Sequence, residues 1–234
     1  AIVNRFSICT HRMCCSNAIS TAFDFDISPV ALMTDPYPCP HTIKGIGPCT
    51  YCPGGPGSVF GDVPQSYTGK EPSTRRAIRN LYDPYLGTFN RLEHYVAMNS
   101  VPEKCEVILQ GGTFPFSPHV YQDYFVKYLL KAMNDFSEYF FASSELNLEK
   151  FKTFFELPGE YRNETRFKTV SEKIQKMKGT YKIVLEFLKT QQKNNETAVI
   201  RCIGLTIETK PDWGLLKQGN EMLELGCTRI ELGV

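Results

Sequence analysis

Three cysteines fall within fourteen residues, in the stretch CPHTIKGIGPCTYCPGGPGS from Cys39 to Ser58, at the spacing C-x9-C-x2-C. Proline and glycine fill many of the positions between and after them, a composition that argues against a helix and against a core strand. Cys39, Cys49 and Cys52 are therefore expected on a stiff, irregular loop, where grouped thiols are candidate metal ligands. A structural zinc site needs four ligands in a closed tetrahedron. His41 is available as the fourth, but there is no second C-x2-C pair. Iron–sulfur clusters are also held by cysteine thiolates. A 4Fe–4S cluster with three protein ligands leaves one iron open to chelate a small molecule. The spacing by itself leaves both metals in play.

The other cysteines point elsewhere. Cys105, Cys202 and Cys227 lie in or beside expected strands and read as buried free thiols, since free cysteine packs as a small apolar residue. Cys9, His11, Cys14 and Cys15 form a looser N-terminal group, read as reduced thiols ahead of a metal site. Nine cysteines, an odd number in 234 residues, do not describe a secreted disulfide scaffold. With no apolar run near the ~20 residues of a membrane span, a reducing cytoplasmic setting is expected, or a nuclear one in a eukaryote. A net charge of +1 announces neither nucleic acid nor membrane, and 42% apolar residues allow an ordinary buried core.

The elements that must position the thiols follow from periodicity. Residues 1–28 are irregular. Strands are expected at 29–34, 105–110, 201–208 and 228–234, and helices at 73–82, 87–98, 145–157, 167–178 and 180–193. A long amphipathic helix opens with Ser117 as N-cap and Pro118 at its first position. Another is capped by Asp212 and ends before Gly226. Strands alternating with helices imply parallel β/α units. The fold class is α/β: a partial parallel (βα) barrel, truncated on its C-terminal side, with the cysteine loop after its first strand. Gly111 and Gly112 close the second strand, where a backbone without side chains can approach a ligand closely. From 142 to 199 the chain is rich in Lys, Glu, Asn and Gln and reads as a solvated helical insertion within a domain spanning 29–234.

The loop resembles that of the radical S-adenosylmethionine (SAM) enzymes, with an aromatic, Tyr51, before the last cysteine and a first gap stretched from the common three residues to nine. More closely, CPH…C.YCPGGP, QSYTGKEPSTRRAIRNLYDPY, ILQGGTFP, GLTIETKPD and GCTRIELGV, in that order, resemble the catalytic subunit of the Elongator complex. The resemblance covers about 29–141 and 200–234. It implies a radical-SAM enzyme of the acyltransferase class that builds a carboxymethyl group at C5 of the tRNA wobble uridine. Its cofactors would be a 4Fe–4S cluster and SAM, its carbon source acetyl-CoA, and its partners tRNA and other Elongator subunits. A 5′-deoxyadenosyl radical from SAM would abstract hydrogen from the acetyl methyl. The family's C-terminal acetyl-CoA-binding domain is absent from this sequence.

Carried over by position, the resemblance makes Cys39, Cys49 and Cys52 cluster ligands and assigns Tyr51, Gly111, Gly112 and Thr113 to cofactor binding. Glu208 and Glu231, late in their strands, become candidates for SAM ribose or amino contacts, because parallel barrels place active sites at strand carboxyl ends. Lys104 falls at a family lysine associated with acetyl-CoA and is the catalytic candidate. Lys70, Arg75, Arg76 and Arg79 are candidate RNA-phosphate contacts, and Tyr67 and Tyr82 candidate platforms for a splayed base. Each competes with a plainer reading: a rim carboxylate, a solvated helix face, an aromatic in the core. The alternative function is a non-catalytic RNA-binding module stabilised by zinc or a cluster. A protein acetyltransferase is disfavoured, because no glycine-rich acyl-CoA loop is present.

Overall fold

A computed structural model describes residues 27–160, 163–179 and 186–234. The N-terminal cysteine group and the first residues of the helix expected at 180–193 lie outside the described residues. In chain order the elements are β1 (Ile27–Met33), α1 (Pro40–Ile43), α2 (Pro72–Arg79), α3 (Pro84–Ala97), β2 (Lys104–Gln110) and α4 (His119–Phe140). A short hairpin follows, of β3 (Phe141–Ala142) and β4 (Glu145–Leu146). Then come α5 (Leu148–Phe155), α6 (Glu164–Lys178), α7 (Glu186–Thr197), β5 (Arg201–Thr209), α8 (Leu216–Glu224) and β6 (Arg229–Leu232).

The four long strands pair in parallel in the order β1-β2-β5-β6. Alternation thus gives the expected parallel α/β sheet, open at β1 and β6; closure into a barrel is not part of the described fold. Register places Val30 beside Val107 and Val107 beside Leu205, and Leu32 beside Leu109 and Leu109 beside Ile207. These side chains are all buried and share one face. Tyr85, Phe89 and Leu92 of α3 and Phe125, Leu129, Phe136 and Phe140 of α4 complete the same apolar core. The opposite face of β2 carries Lys104, Glu106, Ile108 and Gln110, all half-buried. A parallel strand covered on only one face alternates in this way rather than reading as a continuous apolar run.

Several local expectations are corrected. The cysteine loop does hold one helical turn, α1, because Pro40 at its first position needs no N–H partner there. Asp83 both ends the preceding segment and caps α3, accepting from the Leu86 N–H at 2.9 Å. Ser117 does not cap α4. Its hydroxyl donates to the Phe114 carbonyl at 2.7 Å, closing a 3-10 turn at Phe114–Phe116, and Pro118 takes the cap position. Asp212 lies in a second 3-10 turn, Pro211–Trp213, and α8 starts after Leu215. Among the described residues no helix is long and apolar enough to cross a membrane.

The stretch 142–199 is more than a solvated appendage. Phe151 and Phe155 of α5 and Val170 and Ile174 of α6, each pair spaced i,i+4, are buried in the common core. Arg166 of α6 ties the helix down, through its Nη2 to the Glu93 carboxylate at 2.7 Å and its Nε to the Phe155 carbonyl at 2.8 Å. The Lys and Glu residues that dominate its composition occupy the outward faces of amphipathic helices.

Candidate active site at the strand carboxyl ends

The parallel strands run toward one end of the sheet, and there the cysteine loop, the Gly111-Gly112 turn and the ends of β5 and β6 enclose a cavity of about 360 Å³. Cys39, Cys49 and Cys52 all line it, and all three are free thiols. Cys39 is buried, with Sγ 3.8 Å from the Thr113 hydroxyl. Cys49 Sγ lies 3.8 Å from His41 Nδ1. Cys52 Sγ accepts from Gln65 Nε2 at 2.9 Å.

Among the described residues, no three His, Cys, Asp or Glu side chains converge on a point that would hold a single metal ion. His41 turns its Nδ1 toward Cys49 Sγ, and its Nε2 lies 2.7 Å from Lys210 Nζ and 3.1 Å from Asp212 Oδ2. Burial would raise the Asp212 carboxyl, but the Lys210 hydrogen bond and charge, with His41, hold it below the usual range. Three thiols line a single cavity, with an N–H already donating to one sulfur, a donor set compatible with a cluster held by thiolates.

A polar row faces the thiols. Gln110, Glu208 and Glu231 lie side by side at the ends of three strands, on the face away from the helical core. Glu208 and Glu231 are register partners. Gln110 Nε2 donates to Glu208 Oε1 at 2.9 Å and the Tyr67 hydroxyl to Oε2 at 2.8 Å. Burial raises the Glu208 carboxyl, the two donors pull it back, and the Glu231 charge adds to the rise. Burial and the Glu208 charge push the Tyr67 hydroxyl far above its ordinary range. One layer deeper, Glu106 accepts from Thr206 at 3.1 Å and pairs with Arg229.

The glycine turn is required by its surroundings. Gly111 has φ +128°, and a Cβ there would meet Thr34 Oγ1 at 2.1 Å; Gly112 has φ +83°, and a Cβ would meet Gln65 Cβ at 2.9 Å. Gln65 also fills the space beside Gly55, where a Cβ would lie 2.6 Å from Gln65 Oε1. Gly112 and Thr113 line the cavity, whereas Gly111 packs behind it on Thr34.

Most of the residues expected at one site are brought together: the three cysteines, Tyr51, Gly112, Thr113, Glu208 and Glu231 share the cavity wall, with Tyr67. Lys104 does not join them. It starts β2 and sits six residues before Gln110, about 20 Å away at a strand rise of about 3.3 Å per residue, at the amino end of the sheet. Lys70 is exposed beside the Phe60 ring, and Arg75, Arg76 and Arg79 lie on α2, outside the cavity. Tyr82 takes a left-handed φ of +53° after α2 and does not line the cavity. The sequence reading passed over Gln65, which opens the QSYTGKEP run, and over Lys210, whose partner His41 is distant in the chain. A polar residue pinned between glycine-rich segments was the available signal for Gln65.

Comparison with known proteins gives consistent relatives. The chain is 41% identical over 208 residues to a tRNA uridine(34) acetyltransferase of Methanocaldococcus jannaschii, covering 89% of this chain and 29% of that protein. The corresponding protein of Methanocaldococcus infernus is 40% identical over the same shares. Elongator complex protein 3 of Drosophila melanogaster is 35% identical over 89% of this chain and 29% of its own length. The chain thus spans less than a third of these curated relatives. No family model matches it. The solved structure of the archaeal Methanocaldococcus infernus Elp3 with N-terminus deletion aligns over 89% of this chain and 28% of its own, at 27% identity and a TM-score of 0.46, too loose a superposition to carry structural detail.

Proposed function

The chain is related, over one segment of their length, to the tRNA uridine(34) acetyltransferases and Elongator complex protein 3, and from that premise we propose that it is the cluster- and SAM-binding portion of an enzyme that carboxymethylates the tRNA wobble uridine. The observation that carries this reading is the gathering of Cys39, Cys49 and Cys52 around one cavity at the carboxyl ends of a parallel sheet. Those thiols would hold a 4Fe–4S cluster, and the bound cluster would supply one-electron reductive cleavage of SAM at its open iron.

The chain's own residues then have distinct tasks. Gln65 fixes the Cys52 sulfur and joins the cysteine loop to the glycine turn. Glu208, oriented by Tyr67 and Gln110, and Glu231 beside it offer acceptors to the hydroxyls or amine of SAM. Gly112 and Thr113 let backbone approach that ligand, and Tyr51 closes the rim, its hydroxyl donating to the Gly233 carbonyl at 3.4 Å. Lys70, Arg75, Arg76 and Arg79 contact RNA phosphate. Acetyl-CoA is the carbon source. Lys104, at the opposite end of β2, meets it only on a surface away from the cavity. Partner subunits belong to the same proposal.

Anaerobic reconstitution with iron and sulfide tests it. About four irons per chain are expected, with loss of the visible cluster absorbance in Cys39→Ala, Cys49→Ala and Cys52→Ala and tRNA-stimulated release of 5′-deoxyadenosine by the intact chain. One zinc per chain in anaerobically purified protein, or full iron content in all three variants, overturns the ligand assignment.

A further inference from the structure

A second concave site lies away from the cysteine cavity. A groove of about 910 Å³ runs between α2, α3 and α6, and Arg75, Arg76, Arg79 and Arg91 line it with His94 and Phe167. One carboxylate, Glu164, and the cap residue Asn163 complete the wall. Without α6 these arginines would stand on an open helix face; the stretch 142–199 supplies the facing wall.

The arginines are held in place unequally. Arg79 donates to Asn90 Oδ1 at 3.0 Å and stacks over the Phe167 ring. Arg91 donates to the Tyr95 hydroxyl at 2.9 Å and to the Pro29 carbonyl at 3.4 Å. Arg75 is exposed, Arg76 is half-buried, and neither has a carboxylate partner among the described residues. Burial, then the charges of Arg91 and Arg79, lower the Arg76 guanidinium below its usual range. Half-buried like charges cost free energy unless an anion completes them.

Four guanidinium groups and no lysine form the cationic wall. The planar fork of arginine matches phosphate oxygens two at a time. At about 910 Å³ the groove has room for more than one phosphate group, unlike a site shaped around one enclosed ion. We infer that it seats a stretch of RNA phosphate backbone, the part of the substrate that lies outside the cysteine cavity, and that α6 walls that seat. The inference rests on RNA being the substrate, and adds Arg91 and α6 to its binding surface.

The test compares tRNA binding by the whole chain, the Arg76→Gln/Arg91→Gln variant and the charge-preserving Arg76→Lys/Arg91→Lys variant, across a salt series. Circular dichroism confirms that each is folded. Each lost phosphate contact removes about 0.7–0.9 from the slope of log K against log salt. The Gln pair is expected to flatten the slope by about 1–2 and weaken tRNA binding at low salt; the Lys pair keeps the slope. If the native chain binds tRNA and the Gln pair binds it with unchanged affinity and slope, the groove is not the seat, while RNA as substrate stands. Loss of binding to an acidic decapeptide alone, with tRNA unaffected, makes the occupant a protein and overturns the inference. If the native chain binds no tRNA at any salt, RNA as substrate fails and the groove with it.

Discussion

Glu208 and Glu231 face each other across the β5–β6 pair as register partners, two carboxylates side by side in the wall of the cysteine cavity. Like charges placed opposite one another destabilise a sheet. A cationic or hydroxyl-rich occupant would relieve them. Glu208→Gln and Glu231→Gln are each expected to weaken SAM binding about tenfold or more, the scale of a lost charge-assisted hydrogen bond of about 1.5–3 kcal/mol. Equilibrium dialysis of radiolabelled SAM against reconstituted protein measures it. Unchanged affinity in both variants removes the row from the cofactor site.

Gln65 is a positioning residue whose amide N–H reaches the Cys52 sulfur. Gln65→Leu keeps the volume and removes one donor to the Gly54 carbonyl, at 2.9 Å, while that carbonyl keeps the Ser66 N–H at 3.0 Å. A loss of about 0.5–1.5 kcal/mol is expected from urea unfolding of the metal-free chain. Hydrogen bonds to cluster sulfurs help set the potential, so the reconstituted variant should reduce at a lower potential than the parent. An unmoved potential, read by redox titration under electron paramagnetic resonance, would mean that the Gln65 contact is merely structural.

The stretch 142–199 can be tested as core. Phe155 is fully buried among Phe136, Phe140 and Phe151. Phe155→Ala should cost about 3–5 kcal/mol, whereas Lys176→Ala, on the exposed face of α6, should stay within about 0.5 kcal/mol. Similar small losses in both would return 142–199 to the status of an appendage.

His94 makes acid a specific hazard. Burial first, and then Arg79, Arg91, Arg76 and Arg166, hold its pKa at about 4 against an ordinary 6.5. Between those values the unfolded chain binds a proton that the folded chain refuses, so stability is complete above pH 6.5 and is lost as pH falls toward 4. His94→Gln should flatten the dependence of the urea midpoint on pH in that window. An identical pH slope in parent and variant assigns the acid sensitivity elsewhere.

Local chemistry made much of this molecule legible. Strand positions followed from short apolar runs, that of β2 closed by Gly111 and Gly112, and the three thiols and Gly112 met as their order along β1 and β2 suggested. What depended on distant partners was not readable. His41 finds Lys210 and Asp212 across some 170 positions, and Ser117 turns from capping a helix to closing the turn before it because the Phe114 carbonyl is within reach. Lys104 stands away from the cavity for a simpler reason: a residue that begins a strand cannot stand at its far end. The 142–199 stretch was judged by composition, although Phe151 with Phe155 and Val170 with Ile174 already showed a buried stripe at helical spacing.

The side chain of Gln65 occupies the room that a methyl group would need at both Gly55 and Gly112. Three positions from separate parts of the chain therefore behave as one tumbler lock. An alanine at 55 jams against the bound amide, and one at 112 against the stem of the same residue. Trimming position 65 opens the first notch but forfeits the grip on the sulfur. Drift at these sites must be epistatic, with exchanges at 55 and 65 tolerated together and penalised singly, which confines the routes by which such a loop can be remodelled.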